Sequence, residues 1–249
     1  MKGYRVAVIT PTIGTKHLAK CLDSVAKQTY ENMEHIIVVD GPDYIPKTQD
    51  MLAAVNSSKG KVIYLPQNTG HSNYNGHRIY GAVPYLIDAD YFIYLDEDNW
   101  IEPNHVESLI KTAQDTDWAF SFRKIVDQEG KFICNDDCES LGMWPTCLST
   151  SASEEYFVDV GSYFLPKALA IQISPAWYRR ARHPQEQPEV DRLIMQILLQ
   201  KKYSYNTSKE YSLNYRVGNR NDSVQAKFFL DGNKAMLHKY NGELPWKDS

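Results

Sequence analysis

Apolar runs alternate with helical patterns through the first hundred residues. Four short runs lack the polar alternation of a half-exposed strand and predict buried strands, at 5–10, 35–39, 62–65 and 91–95. Between them, apolar residues recur at intervals of three and four, which predicts helices starting at Thr15 or Lys16 and covering 48–55 and 77–87. This alternation predicts an α/β fold with a mostly parallel central sheet and flanking helices.

The second half of the chain is less regular. Its patterns predict helices over 105–113 and 189–201, a strand over 118–126, and a strand over 156–165 that is interrupted at Gly161. Residues 134–155 read as a polar loop, and no clear periodicity follows Asn219. Because no repeat or low-complexity linker divides the chain, we expect one domain over residues 1–249.

Polar clusters follow three of the predicted strands. They are Thr10-Pro11-Thr12, Asp40-Gly41 and Asp96-Glu97-Asp98. In parallel sheets of this kind ligands bind beyond the carboxyl ends of the strands, so these clusters predict one site. Alternate carboxylates such as Asp96 and Asp98 can converge on a hard cation, although a solvated acidic turn is the commoner use of such a triplet.

Composition narrows the class of protein. The chain has 249 residues, 43% of them hydrophobic, which suffices for a core without disulfides or metal. A net charge of −4 argues against a general nucleic-acid partner. No signal-like or membrane-spanning apolar stretch is evident, and the four cysteines fit neither a disulfide framework nor a zinc site. We therefore expect free thiols and a cytoplasmic protein.

Several motifs together resemble the family-two glycosyltransferases, which have the GT-A fold. The stretch L-D-S-V-A-K-Q-T-Y at 22–30 resembles the family's first helix, and V-V-D-G at 38–41 resembles the strand end that follows it. N-T-G at 68–70, R-I-Y-G at 78–81 and the strand ending in D-E-D resemble its later motifs, with Ile79 in place of a usual Asn. The resemblance covers about the first hundred residues and assigns them to nucleotide binding, leaving 101–249 for the acceptor and the catalytic base.

The resemblance implies a nucleotide-sugar donor, most often a UDP-sugar, and Mn²⁺ or Mg²⁺. It implies that Asp40 accepts the ring N–H of the base, although a turn former before Gly-Pro would also be Asp. Asp98 would be the principal metal ligand, with Asp96 between metal and ribose and with His238 as a further ligand. The residues expected to bind the nucleotide are Thr10, Pro11, Thr12, Asp40, Asn68, Arg78 and Asp96.

In this family an inverting displacement uses a carboxylate base at the start of a helix in the second half. Asp191 matches that base, and Glu189 is a second candidate because Val190 occupies the place of the family's preceding Glu. Acids there would also complement the helix dipole without any catalytic role. Gly161 and Ser162 resemble the strand that lines the sugar site, and Trp144 could stack on an acceptor sugar.

These motifs predict transfer of a sugar to a hydroxyl of a glycan or lipid-linked acceptor in polysaccharide biosynthesis. A lipid-linked acceptor would be met peripherally, at the inner face of the membrane. Two alternatives stay open: a sugar nucleotidyltransferase, and a non-catalytic nucleotide- or sugar-binding protein on a degenerate transferase fold. The loop at 10–15 is poor in glycine, unlike the phosphate loop of the former, whereas Asp98 and Asp191 together favour an enzyme.

Overall fold

One mixed β-sheet joins the strands of the computed structural model, which describes residues 3–54, 60–72, 74–179, 190–219 and 223–247. The strands are β1 (Val6–Thr12), β2 (Met33–Val39), β3 (Gly60–Tyr64), β4 (Tyr91–Tyr94), β5 (Trp100–Ile101), β6 (Trp118–Val126), β7 (Phe132–Asn135), β8 (Tyr163–Pro166) and β9 (Tyr205–Arg216). The helices are α1 (Leu18–Ala26), α2 (Ile45–Ala54), α3 (His77–Leu86), α4 (His105–Thr112), α5 (Lys167–Trp177), α6 (Val190–Gln200) and α7 (Ala226–Lys239).

The strand order is β3-β2-β1-β4-β8-β6-β9-β5, and β7 pairs with β6 beside this path. The first four strands are parallel, with Val6 of β1 opposite Met33 of β2 and Tyr91 of β4. Beyond β4 the pairing is mixed, because β8 runs antiparallel to both β4 and β6 whereas β9 runs parallel to β6. The predicted α/β fold is confirmed, and its parallel character belongs to the N-terminal half.

Both faces of the sheet are covered, as the unalternating apolar strands predict. Every residue of β1 and of β2 is buried. Along β1 the side chains of Ala7 and Ile9 pack in the core beneath α3, α5, α6 and α7. Val6 and Val8 point to the other face, beneath α1 and α4. This period of two buries apolar surface on both sides of one strand. Each Å² of apolar surface removed from water stabilises the fold by about 25 cal/mol.

Several elements of the second half differ from the sequence-based expectations. The helices α5 and α7, the strand β7 and the 12-residue strand β9 were not predicted, and β7 overlaps the start of the polar loop expected at 134–155. In α7 the buried positions Phe229, Gly232 and Met236 keep helical spacing, but a glycine contributes no apolar signal at the middle of the three. Residues 156–159 are not a strand, because the Asp159 carboxylate accepts the N–H of Gly161 and caps a short 3₁₀ turn, Val160–Ser162. Within the described segments no helix combines the length and apolarity needed to cross a bilayer.

Candidate active site

A cavity of about 550 Å³ opens at the carboxyl ends of β1, β2 and β4. From β1 the sheet extends to β2 on one side and to β4 on the other, so this is the point where the strand order reverses and where such sheets bind ligands. Of the residues predicted for the nucleotide and metal, six line the cavity: Pro11, Thr12, Asp40, Asn68, Asp96 and Asp98. The convergence of the three polar clusters is therefore observed.

Two carboxylates lie side by side in this cavity with incomplete charge compensation. Burial and the charge of Asp98 raise the pKa of Asp96 to about 7. Burial likewise raises the pKa of Asp98, against the hydrogen bond that Asn219 Nδ2 donates to its Oδ2 at 2.7 Å. Arg216 binds the backbone carbonyl of Asp98, at 3.0 Å from Nε. Two buried acids that resist ionisation together form a site that favours a cation.

The donor set fits an oxygen-ligated divalent ion. In the described part of the chain, no group of three or more His, Cys, Asp or Glu side chains is arranged to hold a metal. A pair of carboxylates is nevertheless what Mg²⁺ commonly takes from a protein, with water and substrate phosphates supplying the remaining ligands. Asp96 and Asp98 therefore fit a metal that is held jointly with a diphosphate.

Glu97, between these two acids, organises the loop after β1. Its Oε2 accepts hydrogen bonds from the Thr12 hydroxyl at 2.6 Å and from the Thr15 N–H at 2.9 Å. Its Oε1 accepts from the Ile13 N–H at 3.1 Å. The sequence alone indicated no separate role for Glu97. Its place between Asp96 and Asp98 was the available signal. Successive side chains in an extended segment point in opposite directions, so Glu97 is expected to point away from the two aspartates.

Asp40 orders the segment 69–70 that lies beside it at the cavity. Its Oδ1 accepts the N–H and hydroxyl of Thr69, at 2.7 and 2.8 Å, and its Oδ2 accepts the N–H of Gly70 at 2.8 Å. A Cβ at Gly70 would lie 2.9 Å from that Oδ2, so only glycine allows this approach. A carboxylate oxygen can accept two hydrogen bonds, so Oδ1 is saturated and Oδ2 has one acceptor position left for a ligand.

Two of the predicted nucleotide-binding residues lie outside the cavity. Thr10 is fully buried beneath it, with its Oγ1 2.8 Å from Nε2 of His35. Arg78 is not among the residues that line the cavity, and its guanidinium stacks 3.6 Å from the Tyr74 ring centroid and 5.1 Å from that of Tyr178. Thr10 therefore supports the β1 end from below, and Arg78 joins an aromatic cluster beside α3.

The predicted sugar-binding residues lie at or behind the cavity wall. Of the 3₁₀ turn Val160–Ser162, Val160 lines the cavity, whereas Gly161 and Ser162 are buried behind it. Trp144 is half-buried and packs on Trp246, with ring centroids 5.5 Å apart. It is absent from the cavity lining because the loop that carries it folds onto the C-terminal segment.

The metal ligand expected late in the chain lies elsewhere. His238 is exposed on the last turn of α7 and does not line the cavity. The groups that act on Asp98 from outside its own loop are instead Asn219, His17 and Arg216. A lone histidine in an unpatterned segment gave no indication of which way its helix would face.

Of the two candidates for the catalytic base, only Asp191 lies within the residues that the structure describes. Asp191 is in the first turn of α6, half-buried, and its charge acts on Tyr163 at the start of β8, where burial and then Asp191 raise the Tyr163 pKa. β8 follows directly on the turn at the cavity wall. Because Asp191 acts on the first residue of β8, α6 begins near the end of the sheet that carries the site. Glu189 lies outside the described residues.

A buried ionic network ties this helix to the cavity wall. Arg123, 1% exposed, pairs with three carboxylates, and its Nε donates to Asp136 at 2.7 Å. One of the three, Glu139, also binds Arg192 of α6 at 2.7 Å, and another, Asp159, caps the turn at the cavity wall. Because a buried charge is tolerated only when it is paired, this network fixes its members tightly.

Comparisons with known proteins identify the family. The model of the family described as Glycosyl transferase family 2 matches residues 7–133, just over half of the 249-residue chain. The chain belongs to glycosyl transferase family 2. All six predicted residues that line the cavity fall within the matched stretch, whereas the base candidates Asp191 and Glu189 lie beyond it.

Curated members of this family resemble the N-terminal half of the chain. It is 29% identical over 117 residues to the glycosyltransferase GlyA of Streptococcus pneumoniae serotype 4, and 32% identical over 117 residues to EpsH of Bacillus subtilis strain 168. These alignments cover 43% and 46% of this chain, but 15% of GlyA and 32% of EpsH. The chain thus matches a third or less of either relative's length.

Solved structures of glycosyltransferases share the fold. S. aureus TarS, residues 1–349 in complex with UDP, superposes with a TM-score of 0.60 at 15% identity, over 86% of this chain and 61% of that one. The mannosyltransferase PcManGT of Pyrobaculum calidifontis, in complex with GDP-Man and Mn²⁺, gives 0.58 at 13% identity, over 88% and 58%. Unlike the family match, these similarities extend through the second half of the chain.

Proposed function

We propose that this family 2 member is an inverting glycosyltransferase that moves a sugar from a nucleotide-sugar to an acceptor hydroxyl. The observation that carries the proposal is the pair of buried carboxylates, Asp96 and Asp98, in a cavity at the reversal point of a parallel sheet. Such a pair destabilises the metal-free fold and is of use when it holds a cation against the phosphates of a ligand.

The donor is a nucleoside diphosphate sugar, and UDP-sugars are the first class to test. Asp40 and Asn68 line one side of the cavity, opposite the acidic pair, and the free acceptor position on Asp40 Oδ2 suits a ring N–H such as that of uracil. TarS was solved with UDP and PcManGT with GDP-Man, which supports a nucleotide in the equivalent cavity.

Asp98 and Asp96 would hold Mn²⁺ or Mg²⁺ together with the donor diphosphate. When bound, the ion neutralises negative charge on the departing nucleoside diphosphate. Phosphate and water would supply the remaining ligands, because His238 does not line the cavity. Asn219 and Tyr80, which hydrogen-bond to the two carboxylates, fix their orientation in the absence of the ion.

Asp191 is the proposed base that takes the proton from the acceptor hydroxyl as its oxygen attacks the anomeric carbon from the face opposite the diphosphate. The Arg192 contacts with Glu139 and Glu155 hold the first turn of α6 against the buried network. Glu189 is the second candidate. Gly161 and Ser162 back the wall on which the sugar rests, and Trp144 is kept as a candidate for a more distant acceptor contact.

The proposed acceptor is a hydroxyl of a glycan or of a lipid-linked sugar, in polysaccharide assembly. A lipid-linked acceptor would be met by peripheral contact at the cytoplasmic face of a membrane. This part of the proposal rests on the family resemblance, and the relatives matched here are considerably longer than this chain.

Release of nucleoside diphosphate from UDP-glucose, UDP-galactose and their N-acetyl forms tests the activity. We expect Mn²⁺-dependent release from at least one donor, with loss of transfer but near-normal nucleotide binding in Asp191→Asn. If Glu189→Gln has that effect and Asp191→Asn does not, the base is Glu189. Nucleotide binding without any release or transfer, across donors and acceptors, would favour a non-catalytic binding protein.

A further inference from the structure

Two of the four cysteines face each other in the loop that follows β7. The N–H of Cys147 donates a 2.7 Å hydrogen bond to the carbonyl of Cys138, so the backbone itself brings the two residues together. Cys138 is fully buried, and Cys147 is half-buried. Nothing in the proposed transfer reaction uses either thiol.

Their sulfur atoms converge on Gly232 of α7. A Cβ built on Gly232 would lie 2.7 Å from the Cys138 sulfur and 3.1 Å from the Cys147 sulfur. The two sulfurs therefore lie beside each other against α7. The remaining cysteines have other surroundings: Cys21 is on the buried face of α1 beside Thr10, and Cys134 lies in β7 close to Asn233.

The two thiols differ in access and in acidity. Cys147 lines a separate cavity of about 300 Å³, beside hydroxyl groups of the same loop and Lys239 of α7, whereas Cys138 does not. The interaction between the two thiols lowers the pKa of Cys147 and raises the pKa of Cys138, which burial raises further. Because the thiolate is the nucleophile, Cys147 is the thiol that reacts first.

We propose that Cys138 and Cys147 form a dithiol site that low-molecular-weight disulfides oxidise reversibly to an intramolecular disulfide. The Cys147 thiolate attacks one sulfur of the small disulfide, which forms a mixed disulfide and releases one small thiolate. The Cys138 sulfur then attacks the Cys147 sulfur, and the second small thiolate leaves with the Cys138 proton. Two protein thiols are oxidised, and one small disulfide is reduced to two thiols.

The proposed order of attack follows from the positions of the two sulfurs. Cys138 is fully buried and does not line the cavity that Cys147 lines, so an external disulfide meets Cys147, and the Cys138 sulfur is already adjacent for the second step. Asp136 Oδ1, 3.4 Å from the Cys138 sulfur, accepts its thiol hydrogen in the reduced state and retains the N–H of Cys138 as a donor after oxidation. The reaction needs no sugar substrate, so its outcome is separate from that of the proposed transfer.

Oxidised glutathione is the probe that tests the site. The folded, reduced protein is incubated with it, free thiols are alkylated, and peptides are analysed by mass spectrometry. We expect a peptide in which Cys138 and Cys147 are joined, two hydrogens lighter than its reduced form, while Cys21 stays alkylated. A reducing thiol should restore the starting mass.

Serine variants distinguish Cys147, which attacks the small disulfide, from Cys138, which completes the intramolecular disulfide. Cys138→Ser should stop at a stable glutathione adduct on Cys147, and Cys147→Ser should react about tenfold more slowly or not at all. Cys134→Ser is the matched control and should form the same disulfide as the unaltered protein. Melting temperatures of the reduced variants confirm that each is folded. A disulfide involving Cys134, or no 138–147 disulfide in the folded unaltered protein, would overturn the proposal.

Discussion

The hydroxyl of Tyr80, on α3, donates a 2.6 Å hydrogen bond to Asp96 at the end of β4. The Tyr80 ring is buried and packs edge-on against Tyr94 and Trp177, at centroid distances of 5.0 and 5.5 Å. A bond to the ionised carboxylate stabilises it, and therefore opposes the burial and the Asp98 charge that raise the Asp96 pKa. A helix on one face of the sheet thus controls how easily the acidic pair ionises.

Removal of this hydroxyl should weaken metal binding. In Tyr80→Phe the Asp96 pKa rises further, so more of the site is protonated at neutral pH and Mn²⁺ must displace that proton. A hydrogen bond to a charged group is worth about 1.5–3 kcal/mol, so we expect roughly tenfold weaker Mn²⁺ binding at pH 7. Calorimetric titration of Mn²⁺ into both proteins at pH 7 and pH 8.5 measures this difference in affinity. The loss should shrink at the higher pH, and an equal loss at both would point to misfolding of the pair instead.

Neutralising Asp96 should stabilise the metal-free protein. The folded-state pKa of Asp96 lies above that of the unfolded chain, so ionisation of this group destabilises the folded protein. This destabilisation is absent well below pH 3.8 and is complete above about pH 7. Asp96→Asn keeps an acceptor for Tyr80 and removes that cost. At pH 8 with a chelator we expect unfolding free energy to rise by more than about 1 kcal/mol, and by less at pH 5. Denaturant titration decides, and a destabilised variant at pH 8 would contradict the account.

Glu97 should matter for donor binding. Glu97→Gln replaces one accepting oxygen by an NH₂ group, so part of the set of bonds to Thr12, Ile13 and Thr15 is lost and the loop after β1 loosens. We expect the nucleotide dissociation constant and the donor KM to rise about tenfold, with a smaller change in kcat, at about 1.4 kcal/mol per factor of ten. Glu243→Gln, an exposed acid near the C-terminus, is the matched control and should leave both unchanged.

Strong patterns made the N-terminal half predictable from sequence, and the site followed from it. The runs that became β1, β2 and β4 are apolar throughout, and the carboxyl ends of neighbouring parallel strands must share one edge. Asp40, Asp96 and Asp98 were therefore expected in one place, where they are found. Residue type and register sufficed for these, because each lies at the end of a strand that the pattern defines.

Contacts distant in sequence limited the rest. Asn219 binds Asp98 from 121 positions away, and Gly232 of α7 is buried because two thiols pack on it. Neither contact produces a periodic pattern of apolar residues in the sequence. Arg123 is one charge in a strand pattern, yet it is the centre of a buried network whose carboxylates come from the beginning and the end of the loop that follows β7. His238 and Trp144 failed to reach the cavity for the same reason, since no local pattern fixed the course of their segments.

Acid should destabilise the fold through a buried histidine. Burial lowers the pKa of His35 to about 3, whereas the unfolded chain takes up that proton near pH 6.5. Stability from the neutral ring is thus complete above pH 6.5 and is lost as pH falls toward 3, at about 1.4 kcal/mol per pH unit. His35→Gln, which can still bond to Thr10, should reduce the dependence of unfolding free energy on pH between 6 and 5. His77 and His105 account for a remaining part of that dependence, because burial lowers the pKa of each. His238→Gln, an exposed histidine, should leave that slope unchanged.

Calorimetric titration of UDP into the protein, with and without Mn²⁺, tests the central claim most directly. If Asp96 and Asp98 hold a cation against a donor diphosphate, Mn²⁺ should strengthen UDP binding substantially in the unaltered protein. Asp98→Asn should abolish that gain while leaving the metal-independent binding in place, and GDP in a parallel titration reports the preference for the base. UDP and GDP binding that is equal with and without Mn²⁺, or a full Mn²⁺ effect in Asp98→Asn, would contradict the account.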